Sequence, residues 1–197
     1  MTAFNEGADR VQTWLNERPR RADAAALLLL TALWALFFWR TLTANPANQV
    51  SYPDGDFTQQ FLAFSSYQAK RLLAGEIPLW NPYNYGGHPF LADTQSAVFY
   101  PPRLIAIAVS SLTGGWSAAA LQAEAVAHYW LATVLMYTFV RAVARSPLAG
   151  LVSALTVGYG GYLTGYPPLQ LAVLEAGIWL PLALLGVNHC FAAKEQR

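Results

Sequence analysis

The sequence predicts an all-α polytopic membrane protein, with four transmembrane helices and a large ordered extracytoplasmic loop after the first of them. Three observations carry this. The residues are 55% hydrophobic and only 12% charged, where soluble domains carry roughly 25% charged residues. Apolar runs recur at about the 20-residue length that crosses a hydrocarbon core as a helix. Arginines gather at one set of ends of those runs, which fixes a direction of insertion.

Composition also excludes several classes. A formal net charge of +1, with no basic run interleaved with aromatics, argues against a nucleic-acid partner. Cys190 stands alone, so the chain has neither a disulfide framework nor a thiolate metal site. The sequence holds no G-x-S-x-G, Walker or G-x-G-x-x-G motif, which demotes serine hydrolases, nucleotide-driven pumps and dinucleotide enzymes.

Residues 1–21 read as a cytoplasmic segment in which Phe4, Val11, Trp14 and Leu15 share a helical stripe, as in a helix lying on the membrane surface. A loosely ordered tail fits them equally. The membrane domain, 22–191, opens with an uncleaved anchor over 22–43. Arg18, Arg20 and Arg21 before it place the N-terminus in the cytoplasm. Further spans are expected at 116–143, 147–166 and 169–191. Arg141 and Arg145, and Lys194 and Arg197 in the 192–197 tail, then fall on the cytoplasmic side. In the third span Gly150, Gly158, Gly160, Gly161 and Gly165, the last two four residues apart, predict close helix packing.

The loop at 44–115 is too long and too aromatic for a passive connector. A helix is expected over 57–74, with Asp56 as its N-cap and Gly75 as its end. Pro78, Pro82, Gly86, Gly87 and Pro89 then impose tight turns. The run Arg103 to Leu112 after Pro101 and Pro102 is too short to span, and dips into or lies along the membrane.

Asp54 and Asp56, two apart on a Pro-Asp-Gly-Asp turn, can aim two carboxylates at one point, to take a proton from a hydroxyl or to bind a divalent cation such as Mg or Mn. A turn residue followed by a helix cap is the purely structural alternative. Glu124 and His128 share one helix face, and Glu175 lies in the outer part of the last span. Ionisable groups at such depth face a polar cavity or one another, so they read either as cavity residues or as packing contacts. Among the outer cations, Arg103 is the preferred phosphate ligand, with Lys70 and Arg71 fitting a solvated face as well. His88, between Gly87 and Pro89, fits a loop-packing role as well as a ligand's, and the three histidines show no zinc-ligand spacing.

The runs GDFTQQF, GEIPLWNPYNYGGHPFLADTQSAVFYPP and LEAGIWLPLALL resemble the N-terminal part of YfhO-type bacterial membrane proteins, relatives of the GT-C glycosyltransferase superfamily. The resemblance covers about Ala22 to Phe191, with Trp80-Asn81-Pro82-Tyr83 and Phe99-Tyr100-Pro101-Pro102 its most specific pieces. It implies an enzyme of the bacterial cytoplasmic membrane that moves a sugar from a polyprenyl-phosphate carrier to a glycan or other cell-envelope acceptor outside. Its catalytic aspartate falls on Asp56, with Asp54 as the competitor. Gln59 and Gln60 follow as sugar or phosphate ligands, and Trp80, Asn81 and His88 join the substrate-binding set. Members of the family have more spans than four, so the resemblance also implies either that these 197 residues are part of a longer protein or that the remaining half is supplied elsewhere. A non-catalytic lipid- or glycan-binding module is the alternative.

Overall fold

A computed structural model describes residues 19–165 and 170–195. The expected surface helix at 3–18, the junction at 166–169 and the last two residues lie outside the described residues. Among the described residues every regular element is helical. In chain order the α-helices are α1 (Pro19–Phe37), α2 (Trp39–Leu42), α3 (Leu62–Leu73), α4 (Pro101–Leu112), α5 (Ala118–Ala144), α6 (Pro147–Gly158), α7 (Gly161–Gly165), α8 (Leu171–Gly177) and α9 (Leu180–Glu195). A π-helical turn, Phe57–Phe61, leads into α3, and a single 3-10 turn covers Phe90–Ala92.

Among the described residues two stretches are long and apolar enough to cross a membrane: α5, with mean hydropathy 1.2, and Leu171–Phe191, with 1.7. The second turns at Ile178 and Trp179, between α8 and α9. Pro181, in the first turn of α9, explains that break, because it has no N–H to continue the ladder back to Gly177. The first apolar run is likewise interrupted at Phe38 and the third at Tyr159 and Gly160. α1 also carries Arg20, Arg21 and Asp23 in its opening turns.

The chain divides into two compact units. One holds α1, the segment Tyr129–Gly161 and the chain from Ile178 onward. Its core joins Ala26 and Leu30 of α1 to Tyr137 of α5 and Ala154 of α6, with Leu27, Leu151 and Leu155 against them. The small side chains that permit this approach are Gly150, Ala154 and Gly158, all buried and four residues apart along α6. A Cβ on Gly150 would lie 3.0 Å from the Tyr137 ring, and one on Gly158 only 2.1 Å from Thr133 Cγ2. Gly161 and Gly165, the pair expected to mark close packing, meet nothing among the described residues within 4 Å of where a Cβ would stand. Asp23 accepts from Tyr137 Oη at 2.6 Å and from Arg141 Nε at 2.7 Å, which ties the start of α1 to the end of α5.

The other unit holds Phe38–His128 and Tyr162–Gly177. Its apolar centre is Phe64, Phe90 and Val98, with Tyr67 packed against them. α3 ends as its sequence demands: Gly75 takes φ +78 and the Glu76 amide donates back to the Arg71 carbonyl at 2.9 Å, which satisfies the last turn. Gln68, buried on α3, donates to the Val98 carbonyl at 3.0 Å, and Ser96 donates to the Phe90 carbonyl at 2.8 Å. Gln122 of α5 clamps the irregular segment after α2. Its amide donates to the Thr41 and Val50 carbonyls at 3.3 and 3.0 Å, and its oxygen accepts from the Tyr52 amide at 3.0 Å. Buried polar groups rarely go unpaired, and this one side chain satisfies one backbone group of α2 and two of the loop after it.

Candidate functional site

Two polar clusters form in the second unit. The first grows from the turn that carries Asp54 and Asp56. Gly55, at φ +150, takes a conformation that side chains disfavour, and its carbonyl accepts from the amides of Thr58 and Gln59 at 3.1 and 2.9 Å. The helix therefore starts on Gly55. Asp56 has helical dihedrals and makes no capping bond, contrary to the expected N-cap. Its exposed carboxylate instead accepts from Gln170 Nε2. Asp54, also exposed, takes a long 3.4 Å contact from the Thr58 hydroxyl.

The next turn is π-helical, a form rare enough in proteins to mark functional positions when it occurs. It buries Phe57 and Phe61 and leaves Gln59 exposed. Gln60 donates to Gln95, whose own amide is held by Asp93 at 2.8 Å. Gln95 and Thr94 line one side of an open cleft of about 580 Å³, with Tyr162, Ala172, Val173, Ala176 and Gly177 around the rest. Gln170 directly precedes the helix that supplies four of those residues. Asp56 and Gln60 are thus each bonded to a segment that walls the cleft.

The second cluster is buried. Arg103, in the first turn of α4, donates through Nε to Glu124 and through Nη2 to Glu175 at 2.5 Å. All three residues are 3–5% exposed. Arg103 is therefore committed to two carboxylates and is not offered to an exterior phosphate, the role expected from sequence. Trp116 lies 5.7 Å from its guanidinium carbon and donates to Ser65 at 3.0 Å. His128 does not pair with the Glu124 carboxylate one turn earlier. Its Nδ1 donates to the Glu124 carbonyl at 2.7 Å and its Nε2 accepts from the Tyr100 hydroxyl, also at 2.7 Å.

Trp80, Asn81 and His88 lie on a pinned turn, which meets the first cluster through His88 and Asp93. Asn81 and His88 exchange backbone bonds of 2.9 Å in each direction, and Asn81 Oδ1 accepts from the Tyr83 amide. The Trp80 indole lies over Gly87, where a Cβ would come within 2.7 Å of the ring. Trp80, Tyr83 and Tyr85 project outward, 54%, 75% and 93% exposed. His88 packs against Phe64 at a centroid distance of 5.5 Å and faces Asp93 at 3.5 Å.

Gln95, Gln170 and Tyr100 were not singled out as site residues by the sequence. Isolated glutamines carry no spacing signal, and Tyr100 was visible only as part of the Phe-Tyr-Pro-Pro piece. No family model, curated protein or solved structure matches this chain.

Proposed function

We propose that the chain is the donor-side portion of a membrane glycosyltransferase of the GT-C type, resembling YfhO-type proteins. In this reading four spans cross a bacterial cytoplasmic membrane, both termini lie in the cytoplasm, and the loop between the first two spans faces outward. The donor is a polyprenyl-phosphate sugar, whose lipid tail stays in the bilayer, and the acceptor is a glycan or other cell-envelope hydroxyl.

The observation that carries the reading is the state of Asp56. Its carboxylate is exposed and turned to Gln170 instead of being spent on a helix cap. Asp56 then takes the proton from the acceptor hydroxyl as its oxygen attacks the anomeric carbon. The bond from that carbon to the lipid phosphate breaks, and its electron pair leaves with the phosphate. The cleft beside Gln95 lies within the ≈ 300–1,000 Å³ range usual for small-molecule sites. In this reading Gln59, exposed on the same turn, and Gln60, bonded to Gln95, bind sugar hydroxyls. With Arg103 committed to its carboxylates, a divalent cation held by Asp54 and Asp56 would balance the leaving phosphate, since two carboxylates suit Mg or Mn. Transfer from a radiolabelled polyprenyl-phosphate sugar in membranes carrying the chain tests this. Loss of transfer in Asp56→Asn, with insertion intact, supports the reading, and undiminished transfer sinks it.

A second reading, a glycan- or lipid-binding module without catalysis, is favoured by the exposed rings of Trp80, Tyr83 and Tyr85 on their pinned turn. It requires binding that survives the Asp54→Asn/Asp56→Asn double change and fails in Trp80→Ala.

A further inference from the structure

We infer that Glu124, His128 and Glu175 form a binding site for a divalent transition metal ion, with zinc the ion whose ligand preferences they match. One ligand atom from each residue lies within 4.8 Å of the others, and all three residues are at most 5% exposed. Neutral imidazole and carboxylate oxygen are both ordinary zinc donors. The inference is independent of the glycosyl-transfer reading and places the ion away from Asp54 and Asp56.

Four features point to a ligand beyond mere proximity. Glu124 Oε1 is buried and has no hydrogen-bond partner among the described residues, and an orphaned carboxylate oxygen is costly unless something occupies it. Arg103 holds Glu124 through Oε2 and Glu175 through Oε1, so it fixes both carboxylates while using one oxygen of each. Ligating carboxylates are commonly held by outer hydrogen bonds of this kind.

The tautomer of His128 is also set. The Glu124 carbonyl can only accept, so Nδ1 carries the proton and Nε2 keeps its lone pair. A histidine whose Nδ1–H is bonded to a carbonyl is the usual form of a metal ligand. Tyr100 takes that lone pair at 2.7 Å, yet its hydroxyl also lies 3.2 Å from the Glu175 carbonyl. Tyr100 can therefore surrender His128 to an ion and still donate its proton. Finally, one guanidinium faces two carboxylates, a formal excess of one negative charge in a shielded place. Such an excess is unfavourable without a further cation or proton.

The test is metal binding by the purified full chain in detergent. The chain is stripped with a chelator and titrated with Zn²⁺, and with Co²⁺ as an optical probe. At least one equivalent per chain is expected in the wild type, and one should remain in Asp54→Asn/Asp56→Asn, which removes the cation site proposed on the acidic turn. Affinity should fall by more than about 10- to 100-fold in Glu124→Gln and in His128→Gln, since that is already the cost of losing only a hydrogen bond that supports a ligand. Tyr100→Phe, which removes only the competing hydroxyl, should bind as tightly as wild type or more tightly. X-ray absorption of the zinc-loaded wild type should show imidazole in the coordination shell, a readout that needs no variant to fold. Absence of binding by the folded wild type, a shell without imidazole, or loss of the ion in Asp54→Asn/Asp56→Asn overturns the inference. Sugar transfer lost in Asp56→Asn with the ion retained leaves it intact, and transfer by ion-free protein leaves the glycosyl-transfer reading intact.

Discussion

Asp56 and Gln170, 114 residues apart, are joined through their side chains. The bond ties the acidic turn to the segment that opens α8. On the glycosyl-transfer reading proposed above, with Asp56 as the base, Asp56→Asn should lower sugar transfer by about 10²- to 10⁴-fold, the worth of a general base. Gln170→Ala leaves the carboxylate in place but unheld, and misplacement of a catalytic group costs up to about 10²-fold. The ratio of the two losses, measured in membranes with matched protein levels, separates the base from the residue that positions it. Equal losses would remove the distinction.

Gly158 of α6 lies close against Thr133 of α5, with no room for a Cβ between them. Gly158→Ala puts a methyl group into Thr133 Cγ2 and should destabilise by about 1–3 kcal/mol, the usual cost of overpacking. Thr133→Ser deletes that methyl and keeps the hydroxyl bond to the Trp130 carbonyl at 2.8 Å. Thermal unfolding in detergent should therefore show Gly158→Ala/Thr133→Ser recovering most of the loss. A double variant no better than Gly158→Ala alone would mean that the strain lies elsewhere.

Arg103→Met strands two buried carboxylates. Breaking a buried ion pair from one side typically costs about 3–5 kcal/mol, whereas replacing the whole set by apolar groups is often neutral. The single change should lower the melting temperature sharply, and Arg103→Met/Glu124→Leu/Glu175→Leu should regain much of it. A single variant that melts with the wild type would deny the network a structural role.

Tyr52 lies outside the long apolar helices, with its ring edge-on to Phe57 and its hydroxyl buried without a partner among the described residues. Burial pushes its phenol well above the usual tyrosine range. The charged form is disfavoured in the folded state, so the stability involved is fully present below about pH 10. It is lost as pH rises from there through the folded value. Tyr52→Phe should flatten that alkaline loss and, by removing an unpaired hydroxyl, leave stability at neutral pH equal or slightly higher. Melting curves between neutral and alkaline pH check both, and an unchanged alkaline slope would contradict them.

The helical class was legible because apolar runs of this length leave few alternatives. Gly75 marked the end of α3 for a plain reason: only a left-handed residue closes that turn cheaply. The interruptions were harder. Pro181 was a visible signal for the turn at Ile178 and Trp179, but Phe38 has neither proline nor glycine beside it. Asp54 and Asp56 could be picked out by their spacing on a turn. The state of Asp56 could not, since it depends on Gln170 beyond the third apolar run. Arg103 was misread for the same cause. Its neighbours in sequence are prolines and aliphatic residues, while the acids that claim it lie 21 and 72 positions further on.

That ordering along the chain has a temporal side. Arg103 leaves the ribosome before either acid, and Glu175 follows it by 72 residues. At about 5–20 residues per second, some 4 to 14 s of synthesis separate them. Throughout that interval the arginine has at most one of its two carboxylate partners to meet, so a nascent chain halted between Glu124 and Glu175 carries a half-matched cation. Stalled or truncated products of that length would be the ones that quality-control proteases find first.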